Sequence, residues 1–227
     1  MGILQARATI RRMNALQTLI AGSGWTERLA DELAGAGKEV YAPALEFLRR
    51  AGRWPADTPA AAAVLAAIVE TEEGPALILT RRRDGLVHHP GQVALPGGAV
   101  DAADATPEQA ALREAEEEVG LPSARVRILG RLPRYPTTSG YLVTPVVGYV
   151  DKPVQLVASP DEVADIFTLP LVVMMDRDRW QQKTFESNGL SLPYQELHWT
   201  GQRIWGATAG MLQLLLPPLR RALGESE

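Results

Sequence analysis

The chain has 227 residues, no cysteine, and a formal net charge of −4 from 27 acidic and 23 basic side chains. Without thiols there is no disulfide, no thiolate nucleophile and no zinc–thiolate site, and the acidic balance argues against bulk affinity for nucleic acid or an anionic membrane. With 46% hydrophobic residues the sequence can bury a sizeable core, and given the net negative charge an acidic ligand would need local cations or a metal ion.

No apolar run reaches the roughly 20 residues of a membrane span. The amino-terminal stretch carries Arg7, Arg11 and Arg12 and no acid before Glu27. Asn14, Gln17 and Thr18 interrupt its apolar core, so it does not read as a secretory signal, and Ala6 stands where myristoylation needs Ser or Thr. The expectation is a soluble, cytoplasmic protein. Residues 3–52 have apolar positions near helical spacing, broken at Gly22-Ser23-Gly24 and Gly35-Ala36-Gly37. They predict a helical N-terminal extension over residues 1–57, acting as a cap or an oligomerisation element. Trp54 to Pro59 reads as the linker into a main domain over residues 58–227.

In that domain, Val64–Val69 and Leu77–Thr80 flank Glu72-Glu73-Gly74-Pro75 as a hairpin. Ala60–Ala63 reads as a short low-complexity tract. Val93–Leu95 predicts a short strand that ends on a Pro96-Gly97-Gly98 turn. Val126–Leu129, Leu142–Val150 and Val163–Phe167 predict further strands. Residues 175–201 are polar and mixed, with one strand around Tyr194–Trp199, and Gly206–Leu223 predicts a helix that packs on the domain. Strands around one central helix, with a terminal helix, indicate an α/β sandwich.

The central helix carries the chemistry. Thr106 can cap it, Pro107 suits its first position, Gln109 can close a capping box and Gly120 ends it. Glu114, Glu117 and Glu118 stand at i, i+3 and i+4, within roughly 100° of arc. Three carboxylates on one face repel by a few tenths of a kcal/mol per pair, which invites a hard divalent cation, magnesium or manganese. A solvated acidic face is the plain alternative. Arg113 lies one turn from Glu117 and can orient it.

Residues 113–121, Arg-Glu-Ala-Glu-Glu-Glu-Val-Gly-Leu, behind Pro96-Gly97-Gly98, resemble the Nudix signature G-x5-E-x7-R-E-U-x-E-E-x-G-U, with Ala115 at the aliphatic position. Upstream, eight residues rather than seven separate Asp104 from Arg113, so the signature's first glutamate falls on Asp104 or Ala105 and receives no role. Residues 78–98 are similar to the additional motif L-L-T-x-R-S-x3-R-x3-G-x-V-x-F-P-G-G of coenzyme A pyrophosphatases. Thr80, Arg82, Gly91, Val93, Pro96, Gly97 and Gly98 match it, while Arg83, Val87 and Leu95 depart from it. Asp101 with Asp104, Ser139-Gly140-Tyr141, Thr144 to Val147, Pro160 to Val163 and Trp205 to Thr208 extend the likeness over roughly residues 60–215.

The resemblance implies a Nudix fold, a mixed β-sheet sandwiched between helices. It implies hydrolysis of the diphosphate of coenzyme A or its thioesters, giving 3′,5′-ADP and 4′-phosphopantetheine. ADP-ribose, NADH, a nucleoside triphosphate, or a non-catalytic ligand-sensing module stand as alternatives. Glu114, Glu117, Glu118 and the Gly97 carbonyl would bind Mg2+ or Mn2+, which neutralises the diphosphate and acidifies a water. Glu162 is the candidate for the further metal ligand or general base that such enzymes draw from a distal loop, with Glu117 and Arg113 completing the catalytic set. Arg82, Arg83 and Gly98 would contact substrate, Arg83 also being the residue able to replace the cation absent at Val87. His88, His89 and Trp205 read as loop or wall residues. The implied partner is a small molecule, without nucleic acid or membrane, and a homodimer is left open.

Overall fold

A computed structural model describes residues 16–20, 22–55, 58–86 and 89–225. The arginine-rich start, Val87 and His88 lie outside the described residues.

The expected hairpin joins β1 (Ala60–Thr71) to β2 (Gly74–Arg82), with Thr71 opposite Gly74 across Glu72-Glu73. β1 begins earlier than its apolar residues suggest. Ala60–Ala63, read as low complexity, form its first third, because they run parallel to β7 (Tyr141–Val150) on one side. On the other side, residues 62–64 pair antiparallel with β4 (Gly97–Ala99). The Gly97-Gly98 turn of the sequence reading is therefore a strand.

Beyond β2 stand β3 (Val93–Ala94) and β8 (Val163–Pro170), and β7 carries β5 (Arg127–Arg131) and β6 (Tyr135–Pro136). The result is one eight-stranded mixed sheet with β1 at its centre. Successive side chains of a strand point to opposite faces, so β1 serves two cores. Ala63, Leu65, Ala67 and Val69 meet Ala110, Ala111, Ala115 and Val119 of the central helix (Pro107–Val119). Ala62, Ala66 and Ile68 belong to the other core, with Leu29 and Leu33 of α1 (Trp25–Leu33) and Leu212, Leu215 and Leu219 of the terminal helix (Gly206–Ala222).

The N-terminal helices follow the apolar spacing. Leu16 and Ile20, in a helical stretch at 16–20, join that second core. α2 (Ala42–Arg50) instead places Phe47 and Leu48 against Phe185, Leu190 and Leu192. In chain order the central helix is α3, followed by α4 (Leu171–Met175) and the terminal α5. The polar excursion at 175–201 holds more than one strand. β9 (Trp180–Ser187), β10 (Leu190–Trp199) and β11 (Gln202–Ile204) form a second, three-stranded antiparallel sheet. Among the described residues no helix is long and apolar enough to cross a membrane.

Candidate active site

α3 starts and stops where its local chemistry dictates. Thr106 Oγ1 accepts the Gln109 N–H at 3.3 Å. Gln109 Oε1 in turn accepts the N–H of Ala105 at 2.8 Å, one residue ahead of the cap. Gly120, in the left-handed region at φ 65°, ends the helix and lets the Leu121 N–H return to the Ala115 carbonyl. With Ala110, Ala111 and Ala115 buried against the sheet, the helix approaches β1 and β4 closely.

That approach brings the carboxylates to the glycine strand. The Gly97 N–H donates to Glu118 Oε2 at 3.1 Å. A Cβ added at Gly98 would stand 2.6 Å from the Glu114 carboxyl carbon. Arg113 spreads its guanidinium over the same ground. Its Nη1 donates to Glu114 Oε1 at 2.9 Å and to Glu117 Oε2 at 3.1 Å, and its Nη2 reaches the Ala99 carbonyl at 3.2 Å. Its Nε and Nη2 grip both oxygens of Asp104, at 3.3 and 3.0 Å. Asp104 was given no role by spacing; the structure makes it the fork that fixes Arg113. The usable signal was its place in Gly-Gly-x-x-Asp-x-x-Asp, not its distance to the helix.

The electrostatics follow from burial. Glu118 is 4% exposed, and burial pushes its carboxyl up to about 7 against the opposing Gly97 N–H and the charge of Arg82. Burial likewise raises Glu114, with Glu117 and Glu162 adding repulsion and Arg113 opposing it. The Arg113 fork holds Asp104 below the usual carboxylate range. Arg82 Nη1 lies 3.6 Å from Glu118 Oε1, and its buried Nε has no hydrogen-bond partner.

Among the described residues no three acidic or histidine side chains already converge on one metal position. The donor chemistry nonetheless fits a hard divalent cation: oxygen ligands only, two of them carboxyls whose charge burial disfavours and a cation would restore. Glu117, with its side chain 60% exposed, stands one turn along the same face, paired with Arg113.

Glu162 sits in the turn before β8, its charge felt by both Glu114 and Glu118. Arg83, expected on the substrate, directs Nη1 to the Pro160 carbonyl. His89 Nδ1 pairs with Gln92 Oε1 at 3.1 Å. Trp205 precedes α5 with the Arg203 guanidinium 4.6 Å over its ring.

Residues 59–186 match the model of the NUDIX domain. The chain belongs to the Nudix hydrolase family. It is 41% identical over 154 residues to an uncharacterized Nudix hydrolase, NudL, of Enterobacter sp. (strain 638), covering 68% of this chain and 80% of the relative. With NudL of Escherichia coli (strain K12) the identity is 42% over 158 residues, with the same shares covered. Among solved structures, a Nudix hydrolase from M. smegmatis, RenU, is 29% identical over 49% of this chain and 71% of that one, with a TM-score of 0.39. The mixed sheet with its helices is the Nudix fold, preceded here by N-terminal helices. Nudix hydrolases generally use divalent metal ions and act on small nucleotide derivatives.

Proposed function

We propose that this Nudix hydrolase cleaves the diphosphate bond of coenzyme A or its thioesters, releasing 3′,5′-ADP and 4′-phosphopantetheine or its acyl form, with Mg2+ or Mn2+. The observation that carries the reading is Arg82. Its buried, unpartnered Nε stands beside the α3 carboxylates, where an anionic ligand supplies the missing acceptor. It lies within residues 78–98, the stretch similar to the coenzyme A pyrophosphatase motif.

Glu114, Glu117, Glu118 and the Gly97 carbonyl are the groups that would hold the ion. When bound, the ion neutralises the diphosphate and makes a neighbouring water more acidic. Arg113 orients Glu117 and Glu114. Glu162 takes the proton of the attacking water at its carboxylate. Gly98, lacking a Cβ, lets the Glu114 carboxyl lie directly against the strand, beside the place the phosphates would take. One phosphorus–oxygen bond forms to the water oxygen as the bond to the bridging oxygen breaks.

The test is incubation of the purified chain with coenzyme A and Mg2+, then with Mn2+, watching for 3′,5′-ADP. Val87, where the motif has an arginine, keeps a second substrate reading in play, so ADP-ribose, NADH and a nucleoside triphosphate run in parallel. Cleavage of one of these with coenzyme A intact overturns the substrate and keeps the chemistry. Glu117→Gln should lower kcat by orders of magnitude; unchanged ligand binding with no turnover in the native chain would mark a sensing module instead.

A further inference from the structure

The segment 157–162, which carries Glu162, is held from two sides. On the helix side, the Val157 N–H donates to the Val119 carbonyl at 2.9 Å and the Ser159 N–H to the Glu118 carbonyl at 2.8 Å. These are last-turn carbonyls of α3, which have no partner within the helix. On the sheet side, the β2–β8 ladder is irregular at Arg81/Arg82, and the Arg83 N–H continues it to the Glu162 carbonyl at 3.0 Å. The Arg83 side chain then turns back onto the Pro160 carbonyl. Between these ties, the Glu162 and Val163 N–H groups close on the Ser159 carbonyl at 3.3 and 2.9 Å.

We infer that Arg83 is a positioning residue: it acts through the loop, clamping Pro160 so that Glu162 is held toward Glu114 and Glu118, and does not itself bind substrate. Two features support this over a substrate contact. One Arg83 donor is engaged with protein, whereas its neighbour Arg82, the last residue of β2, reaches Glu118 and keeps an unmet Nε. The helix ties fix the loop at residues 157–159, and among the described residues the tie at Pro160 comes from the Arg83 side chain. A general base displaced by about 1 Å loses rate steeply, because proton transfer needs hydrogen-bond reach.

The inference rests on Glu162 being the base, and the experiment separates the two. Steady-state rates for Arg83→Ala, Arg83→Lys, Glu162→Gln and the Arg83→Ala/Glu162→Gln double variant are measured with Mg2+ on coenzyme A and, in parallel, on ADP-ribose. Amide exchange is followed at Val157, Ser159 and Glu162. Expected for Arg83→Ala are a kcat about tenfold lower, KM within about twofold, faster exchange at Glu162, and no added loss on top of Glu162→Gln. Arg83→Lys, which still offers a donor, should recover part of the rate. A raised KM with kcat kept, or losses that multiply in the double variant, overturns the inference in favour of substrate contact. Unchanged exchange at Glu162 overturns it as well. If Glu162→Gln alone keeps full activity, the base assignment falls; the exchange result then still decides whether Arg83 holds the loop.

Discussion

A methyl group at Gly98 and one at Gly97 would strike different things. At Gly98 it would lie 2.6 Å from the Glu114 carboxyl, the far end of a flexible side chain. At Gly97 it would lie 2.5 Å from the Cα of Val64 on β1, which cannot move alone. Gly98→Ala should therefore cost less than ~1 kcal/mol of stability but displace Glu114, raising the Mg2+ concentration for half-maximal activity about tenfold. Gly97→Ala should destabilise by ~1–3 kcal/mol through overpacking. Thermal melts alongside metal titrations check both, and equal effects of the two substitutions would count against the packing shown. The glycines were legible in the sequence as a turn; that they form a strand was not. Asp104 shows the same limit. Residue spacing left it without a role, because a loop can bring a carboxylate to Arg113 from more than one position, and only the folded backbone shows the two-oxygen grip.

At the scale of elements, α3 was readable because its signals are local: a Thr cap, Pro at the first position, alanines on one face and Gly at the exit. The cap lies about two turns before Glu114. Thr106→Ala should thus cost ~1 kcal/mol in denaturant unfolding while leaving kcat at 25 °C within twofold. A large loss of activity at unchanged stability would mean that the cap also shapes the site. The first third of β1 was unreadable for the opposite reason. Alanine has weak strand preference, and Ala60–Ala63 extend only because β4 and β7 supply partners from distant sequence. Of the β9–β11 sheet only the second half of β10, Tyr194–Trp199, was legible. Most of β9 is exposed, so no apolar alternation marks it.

The molecule as a whole joins α1 of its extension to its catalytic sheet through one core, while α2 packs separately against β9 and β10. Leu29 of α1 is fully buried with Leu212 and Leu215 of α5, so Leu29→Ala should cost ~2–5 kcal/mol over the entire unfolding transition. A separate low-temperature melting of α1 would show that it is not part of that core. The same global stability should register the charge state of one carboxyl in the site. In metal-free protein burial holds the Glu118 proton up to about pH 7, whereas in the unfolded chain it leaves near the ordinary glutamate value of 4.5. The native state therefore holds more protons between those values, and stability must fall as pH rises through that window. The contribution is fully present below about 4.5 and lost above about 7, amounting to roughly 3 kcal/mol. In chelator the Tm should decline from pH 5 to 7.5, and Glu118→Gln should flatten that decline. Mg2+ should raise the Tm more at pH 7.5 than at pH 5, since ion binding selects the ionised carboxylates that burial penalises. A Tm that rises with pH in chelator, or a Mg2+ effect independent of pH, would refute the coupling between Glu118 and the ion.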